Sequence, residues 1–167
     1  HDGSLLAAAE MLRGGITCFN DMYFFPEATA RAALKAGIRA ALGMIAVEFP
    51  SAYAADAAGY LHKGLATRDA YRGEDLLTFC LAPHAPYTCS KETLLAAREM
   101  ADAYGAPLLI HVSETRDEQK TIQEKYGATP VKWLDEIGFL GPRVLAAHGV
   151  WLSEGDLAVM ASRKVAT

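Results

Sequence analysis

The sequence predicts an α/β protein, the central part of an eight-stranded (β/α)8 TIM barrel. Apolar strand-like runs alternate with helical patterns, which is typical of parallel strands joined by crossover helices. Four segments begin with glycine, continue as an apolar run and end in a polar residue, at 15–20, 37–48, 105–111 and 141–148. His84, His111 and His148 follow or end three successive strands. Closure of a barrel would bring these histidines to one rim.

An open, doubly wound sheet is the alternative arrangement of the same elements. No glycine-rich phosphate loop follows any strand, so the feature that commonly places a ligand in such a sheet is missing. Five strands are too few to close a TIM barrel. The chain opens at His1 and stops at 165–167, which reads as the start of another strand. We therefore expect residues 1–167 to form a partial barrel domain, about strands 2 to 6, with both ends of the full protein missing and marginal stability in isolation.

The composition describes a globular chain with a small-molecule partner. The 167 residues are 51% hydrophobic and 22% charged, with a net charge of -4 and no cluster of Lys and Arg, which argues against nucleic acid. No apolar run approaches the roughly 18 residues of a membrane span, and no signal peptide is visible. We expect no membrane partner and a cytoplasmic location. Cys18, Cys80 and Cys89 form no disulfide or zinc motif, so we expect them to be small apolar packing residues.

The elements follow from apolar spacing and from glycines that end helices. In the first half they are a helix around 5–12, a strand over 16–19, a helix over 26–36, a strand over 38–47, a helix over about 54–71 that carries a solvated His62, and a strand over 76–82. A stiff proline loop over 83–88 follows. In the second half they are a helix from Ser90 to Gly105, helices that begin near 115 and 129, a strand over 144–147, and a helix opened by Ser153 and Asp156 as a capping-box pair.

Residues 107–112 form the strand around which the predicted site is organised. Five apolar residues surround His111, the pattern of a buried parallel strand. Thr115 and Glu118 have the spacing of a capping box, so a helix begins directly after the strand. His111 and Glu114 therefore lie at the rim where parallel α/β proteins bind ligands. A neutral imidazole can bind a metal and a carboxylate can move protons. The other interpretation is a core histidine bonded to backbone, beside a solvated helix-capping glutamate.

Several blocks of the chain resemble the amidohydrolase superfamily, within it the branch of 5'-methylthioadenosine/S-adenosylhomocysteine deaminases and triazine hydrolases. The blocks are APHAPYT at 82–88, IHVSET at 110–115 and AAH at 146–148, and residues 14–24 are similar to the family's second strand and its loop. The resemblance covers nearly the whole chain. It implies a (β/α)8 barrel of the metal-dependent hydrolase type.

The resemblance also implies a role for each rim residue. His111 matches the histidine that ligates the metal, Glu114 the glutamate that contacts the substrate and shuttles protons, and His148 the histidine that orients the attacking water. His84 matches the histidine that contacts the substrate, at its ribose hydroxyls. The implied cofactor is one divalent metal ion, zinc, with iron or manganese as alternatives. The family's first-strand His-x-His pair and eighth-strand Asp have no counterpart here, so this chain alone should hold a metal poorly.

The implied function is a metal-dependent hydrolytic deaminase of 5'-substituted adenosines, such as 5'-methylthioadenosine or S-adenosylhomocysteine, which releases ammonia through a metal-bound hydroxide. The alternatives are a triazine-type chlorohydrolase or a guanine or pterin deaminase of the same superfamily, and a non-catalytic truncated fragment. Glu114 favours deamination, since leaving ammonia needs a proton and chloride does not. Met44 stands where adenosylhomocysteine deaminases tend to carry a carboxylate-binding Arg, which favours a neutral 5'-substituent. We expect the full-length protein to be a homo-oligomer.

Overall fold

Five strands and seven helices alternate along the chain in the computed structural model, which describes residues 1–167. The strands are β1 (Cys18–Asp21), β2 (Arg39–Ala46), β3 (Leu77–Pro83), β4 (Leu108–Val112) and β5 (Val144–His148). The helices are α1 (Asp2–Arg13), α2 (Pro26–Ala36), α3 (Ala57–Ala70), α4 (Lys91–Tyr104), α5 (Arg116–Tyr126), α6 (Pro130–Glu136) and α7 (Glu154–Arg163). All elements predicted from the sequence are present in the predicted order.

The sheet is entirely parallel, and its strands lie side by side in chain order, β1-β2-β3-β4-β5. A doubly wound sheet would reverse its strand order at a switch point, and this sheet has no reversal. After α7 the chain returns to the β5 edge, where the Ala146 N–H donates to the Ala166 carbonyl and Leu145 forms a parallel bridge with Ala166. The sequential, all-parallel order confirms a half-barrel rather than an open doubly wound sheet.

The core lies between the sheet and the helices that cover its outer face. Its largest cluster contains 21 buried residues, from Met44 on β2 to Met160 on α7. Cys80 and Cys89 are buried in the interior, as predicted. Cys18 is exposed, so its assignment as a packing residue is wrong. The reason is its position as the first residue of β1, the edge strand of the sheet.

The predicted capping box is present at α7 and only half present at α5. At α7 the Ser153 hydroxyl and the Asp156 carboxylate cap each other's backbone N–H groups, the predicted capping box. At α5 the Thr115 hydroxyl accepts from the Glu118 N–H at 3.1 Å. The Glu118 carboxylate does not return this bond, because it reaches past Thr115 to two earlier N–H groups. The predicted capping box at α5 is therefore wrong in its second half.

The first helix covers the sheet only lightly. Ala8 is its single buried residue, while Leu6 and Leu12 are 63% and 39% exposed. His62 lies on the exposed side of α3, as predicted. None of the seven helices combines the length and the apolar character needed to cross a bilayer.

Candidate active site

The strand ends bring the three predicted histidines to the same rim of the sheet. His84 directly follows β3, His111 lies near the end of β4, and His148 is the last residue of β5. The register pairs Val112 with His148 across β4 and β5, so these strand ends are level. The ring centroids of His84 and His111 lie 4.9 Å apart, and those of His111 and His148 lie 5.2 Å apart. The carboxyl ends of three neighbouring parallel strands therefore form one continuous row of imidazoles.

The tautomer of His111 follows from the hydrogen bond of its ring to the backbone. Its Nδ1 lies 2.8 Å from the carbonyl oxygen of His84. A carbonyl oxygen can only accept, so Nδ1 carries the proton and donates it. In the neutral ring Nε2 is then left with a free lone pair, the form in which an imidazole ligates a metal.

His84 is oriented by the loop that follows it. Its Nδ1 lies 2.9 Å from the Thr88 hydroxyl, which in turn lies 3.3 Å from the Ala85 carbonyl. Because the hydroxyl donates to that carbonyl, it accepts from His84 Nδ1, and His84 Nε2 is free to contact a ligand. Burial lowers the pKa of His84, and the neighbouring His111 adds to this effect while Glu114 opposes it. His84 is therefore a neutral hydrogen-bonding group at neutral pH.

Glu114 and His148 face each other across the rim. Glu114 Oε1 lies 3.7 Å from His148 Nε2, and both side chains are about two-fifths exposed, at 40% and 38%. His148 has a left-handed backbone conformation, φ 79°. Strained backbone of this kind is uncommon outside glycine and occurs preferentially at functional sites. The pair thus forms an accessible carboxylate and imidazole at one edge of the row of histidines.

The turn that carries Glu114 is held by contacts that the sequence did not predict. Ser113 is fully buried and has φ 56°, so the chain changes direction between His111 and Glu114. The buried Glu118 carboxylate accepts both the Ser113 N–H and the Glu114 N–H. The sequence pattern paired Glu118 with Thr115 as a capping box, and no signal in it indicates that the carboxylate binds the Ser113 and Glu114 N–H groups instead.

An apolar cavity of about 420 Å3 adjoins His84 and His111. Its other lining residues come from the loop after β1 and from β2 and its continuation: Met22, Tyr23, Phe24, Ile45, Val47 and Phe49. A larger cavity of about 790 Å3 lies between α1, β1 and the start of α2. It contains none of the four predicted site residues. The smaller cavity therefore adjoins two of the four predicted site residues, His84 and His111.

Met44 does not face this cavity. Side chains alternate along a strand, and Ile45 and Val47 line the cavity while Met44 lies buried on the opposite face of β2. A Cβ atom added to Gly64 of α3 would lie 2.7 Å from Met44 Cβ. The residue at position 44 packs against α3 and does not reach the rim. The prediction that Met44 reports on the substrate is therefore wrong.

The rim residues do not form a complete metal site among themselves. No three His, Cys, Asp or Glu side chains of the chain come together in a way that could hold a metal ion. The free Nε2 of His111 fits the role of one imidazole ligand. His84, His148 and Glu114 surround it as groups that can bind substrate or move protons.

A sheet of parallel strands in sequential order, with histidines and a carboxylate at its carboxyl rim, is typical of part of a (β/α)8 barrel. A protein-family model with the description "Amidohydrolase family" matches residues 1–166 of the sequence. The chain therefore belongs to the amidohydrolase family. This confirms the resemblance found in the sequence.

Curated relatives with deaminase names match almost the whole chain. A 5-methylthioadenosine/S-adenosylhomocysteine deaminase of Thermodesulfovibrio yellowstonii is 47% identical over 99% of this chain and 38% of its own length. A 5'-deoxyadenosine deaminase of Methanopyrus kandleri is 42% identical over 98% of this chain and 38% of its own length. The chain thus spans about 38% of the length of the curated relatives it matches.

Solved structures agree with the fold. An adenosine deaminase of Xanthomonas campestris with bound zinc superposes with a TM-score of 0.93 at 36% identity, covering 98% of this chain and 37% of its own. The zinc-bound atrazine chlorohydrolase of Arthrobacter aurescens superposes with a TM-score of 0.83 at 24% identity, covering 97% of this chain and 40% of its own. The second comparison supports the fold alone.

Proposed function

We propose that the protein containing this chain is a metal-dependent hydrolytic deaminase of 5'-substituted adenosines, and that residues 1–167 supply one side of its active site as a partial barrel domain. The observation that carries the proposal is the rim itself: His111 with a free Nε2, beside a Glu114 and His148 pair 3.7 Å apart. Relatives at 40–47% identity named as deaminases of such nucleosides support it.

His111 is proposed as one ligand of a divalent metal ion, zinc by analogy with the zinc-bound adenosine deaminase. The other ligands would come from outside these residues. Such an ion, when bound, activates a water molecule for attack on the ring carbon that bears the amino group. Glu114 would take one proton from that water and give it to the ring nitrogen, and it would then carry the proton of the added hydroxyl group to the amino group, which leaves as ammonia as the carbonyl forms. His148, facing Glu114, would orient the water, and the free Nε2 of His84 would hold the substrate.

The apolar cavity is proposed to receive an uncharged part of the substrate. Its lining includes two histidines and six apolar or aromatic residues, with no Lys or Arg. A carboxylate placed against these apolar and aromatic residues would lose its water without a Lys or Arg to pair with, which is costly. This favours 5'-methylthioadenosine or 5'-deoxyadenosine over S-adenosylhomocysteine.

The alternatives have weaker support. The chlorohydrolase and a guanine deaminase of the same fold are only 24% and 18% identical to this chain. Glu114 favours deamination over dechlorination because ammonia must leave protonated. A non-catalytic fragment is the remaining alternative, and an assay of the full-length protein separates it from the enzymatic proposals. The cytoplasmic location and the homo-oligomer remain predictions.

Ammonia release by the full-length zinc-loaded protein tests the proposal directly. The panel should contain 5'-methylthioadenosine, 5'-deoxyadenosine, S-adenosylhomocysteine, adenosine, guanine and a chlorotriazine. We expect release from the adenosines, with the highest kcat/KM for a neutral 5'-substituent. Release of chloride from the triazine, release of ammonia from guanine alone, or no turnover of any compound would contradict the proposal.

A further inference from the structure

Glu118 lies below the rim and touches none of the groups assigned to the reaction, yet it is bonded to the turn that carries one of them. The residue is only 3% exposed. Oε1 accepts the Ser113 N–H and Oε2 accepts the Glu114 N–H, both at 2.8 Å. A carboxylate that served only to cap α5 would bond to N–H groups at the start of that helix. This one reaches back to the end of the preceding strand.

The turn at Ser113 needs such support. Ser113 adopts φ 56°, a left-handed conformation that an L-residue other than glycine holds only where its surroundings enforce it. The chain enforces it from several sides. The Ser113 carbonyl accepts the N–H groups of Val150 and Trp151, and the Gln119 amide donates to the Ser113 hydroxyl and to the Trp151 carbonyl. These bonds connect the loop after β4 to the loop after β5, which contains the residues next to His148.

We propose that Glu118 is a positioning residue for the reaction: its carboxylate holds the turn that places the Glu114 side chain opposite His148. The inference rests on the proposed role of Glu114 in proton transfer. Proton transfer requires the carboxylate within hydrogen-bonding reach of its partners, and a displacement of about 1 Å is enough to lower a rate severely. Glu118 would thus act on the reaction through the backbone of Ser113 and Glu114 and not by contact with the substrate.

The variant Glu118→Gln in the full-length zinc-loaded protein separates this role from general stabilisation. Gln has nearly the same volume, but in the position of the carboxylate its oxygen replaces only one of the two acceptor oxygens, and its NH2 group would face the other N–H donor. We expect kcat to fall by about tenfold or more, with KM changed by less than about threefold and zinc content unchanged. Glu124→Gln is the matched control, because Glu124 lies exposed on the same helix, and it should retain the wild-type kcat.

A double-mutant comparison with Glu114→Gln tests whether Glu118 acts through Glu114. Once Glu114 can no longer carry a proton, its placement should not matter, so adding Glu118→Gln should lower kcat by less than about twofold. An equal loss of kcat with and without Glu114 would overturn the inference while leaving the proposed function intact. A wild-type kcat in Glu114→Gln alone would overturn the proposed function and this inference with it.

A second variant covers the case in which Glu118→Gln does not fold. Glu118→Asp keeps the charge but withdraws the carboxylate by one methylene, so it should no longer reach both N–H groups. We expect the same pattern of lowered kcat with nearly unchanged KM and zinc content. A wild-type kcat in Glu118→Asp would overturn the inference.

Discussion

The Nδ1 nitrogen of His111 lies 2.8 Å from the carbonyl oxygen of His84, so two neighbouring strand ends fix the orientation of one ring. The proton on Nδ1 leaves Nε2 as the atom available to a metal. Because β3 and β4 are neighbours in the sheet, a carbonyl group at the end of β3 determines which nitrogen of His111 on β4 carries the proton. This hydrogen bond also distinguishes His111 from the other two rim histidines, whose imidazole rings make no hydrogen bond to a backbone carbonyl.

The full-length variant His111→Ala should lose its metal, because removal of an imidazole ligand leaves an incomplete site. We expect a metal content well below that of the wild type by elemental analysis after dialysis. His62→Ala is the control, since His62 is exposed on α3. Stoichiometric metal in the His111 variant would show that His111 is not a ligand.

Replacement of His148 should lower turnover without removing the metal. Asn is a suitable substitute because it tolerates a left-handed backbone such as φ 79° at this position. We expect His148→Asn to reduce kcat by about tenfold or more, as expected when a group that orients a reactant is lost. Zinc content and kcat should be measured on the same preparation. A kcat within about twofold of wild type would exclude His148 from the reaction.

His84 should affect substrate affinity more than turnover. Loss of its hydrogen bond in His84→Ala should raise KM by about five- to tenfold, equivalent to roughly 1 kcal/mol, with a smaller effect on kcat. Burial lowers the pKa of His84, so the ring stays neutral at and above its ordinary pKa of 6.5. KM of the wild type should therefore be flat above that pH and change only on further acidification. A larger effect on kcat than on KM would contradict the assignment.

The contact between Met44 and Gly64 gives a prediction about stability. An alanine at position 64 would place its Cβ 2.7 Å from Met44 Cβ and 3.1 Å from Met44 Cα. We expect Gly64→Ala to destabilise the protein by about 1–3 kcal/mol, the usual cost of overpacking a core. Gly3→Ala is the control, because nothing lies within 4 Å of the added atom. Equal thermal unfolding midpoints for the two variants would contradict the packing of β2 against α3.

The sequence predicted the elements and the rim because both depend on local pattern. Apolar runs and helix-ending glycines define the strands, and three strand-end histidines must share an edge once the strands are parallel. The orientation of Met44 was not predictable in this way, because a shift of one residue along a strand exchanges its faces. The N–H groups that the Glu118 carboxylate binds are brought to it by the left-handed turn at Ser113. The spacing of residues in the sequence does not reveal that turn. The cavity wall is formed by segments far apart in the sequence.

The kcat of full-length, zinc-loaded Glu114→Gln, measured with 5'-methylthioadenosine, tests the central claim most directly. Gln preserves the size of the side chain but cannot carry the proton, so we expect kcat to fall by at least about a hundredfold while zinc content stays near normal. Near-normal turnover in this variant would remove Glu114 from the mechanism and contradict the account of the rim as a deaminase site.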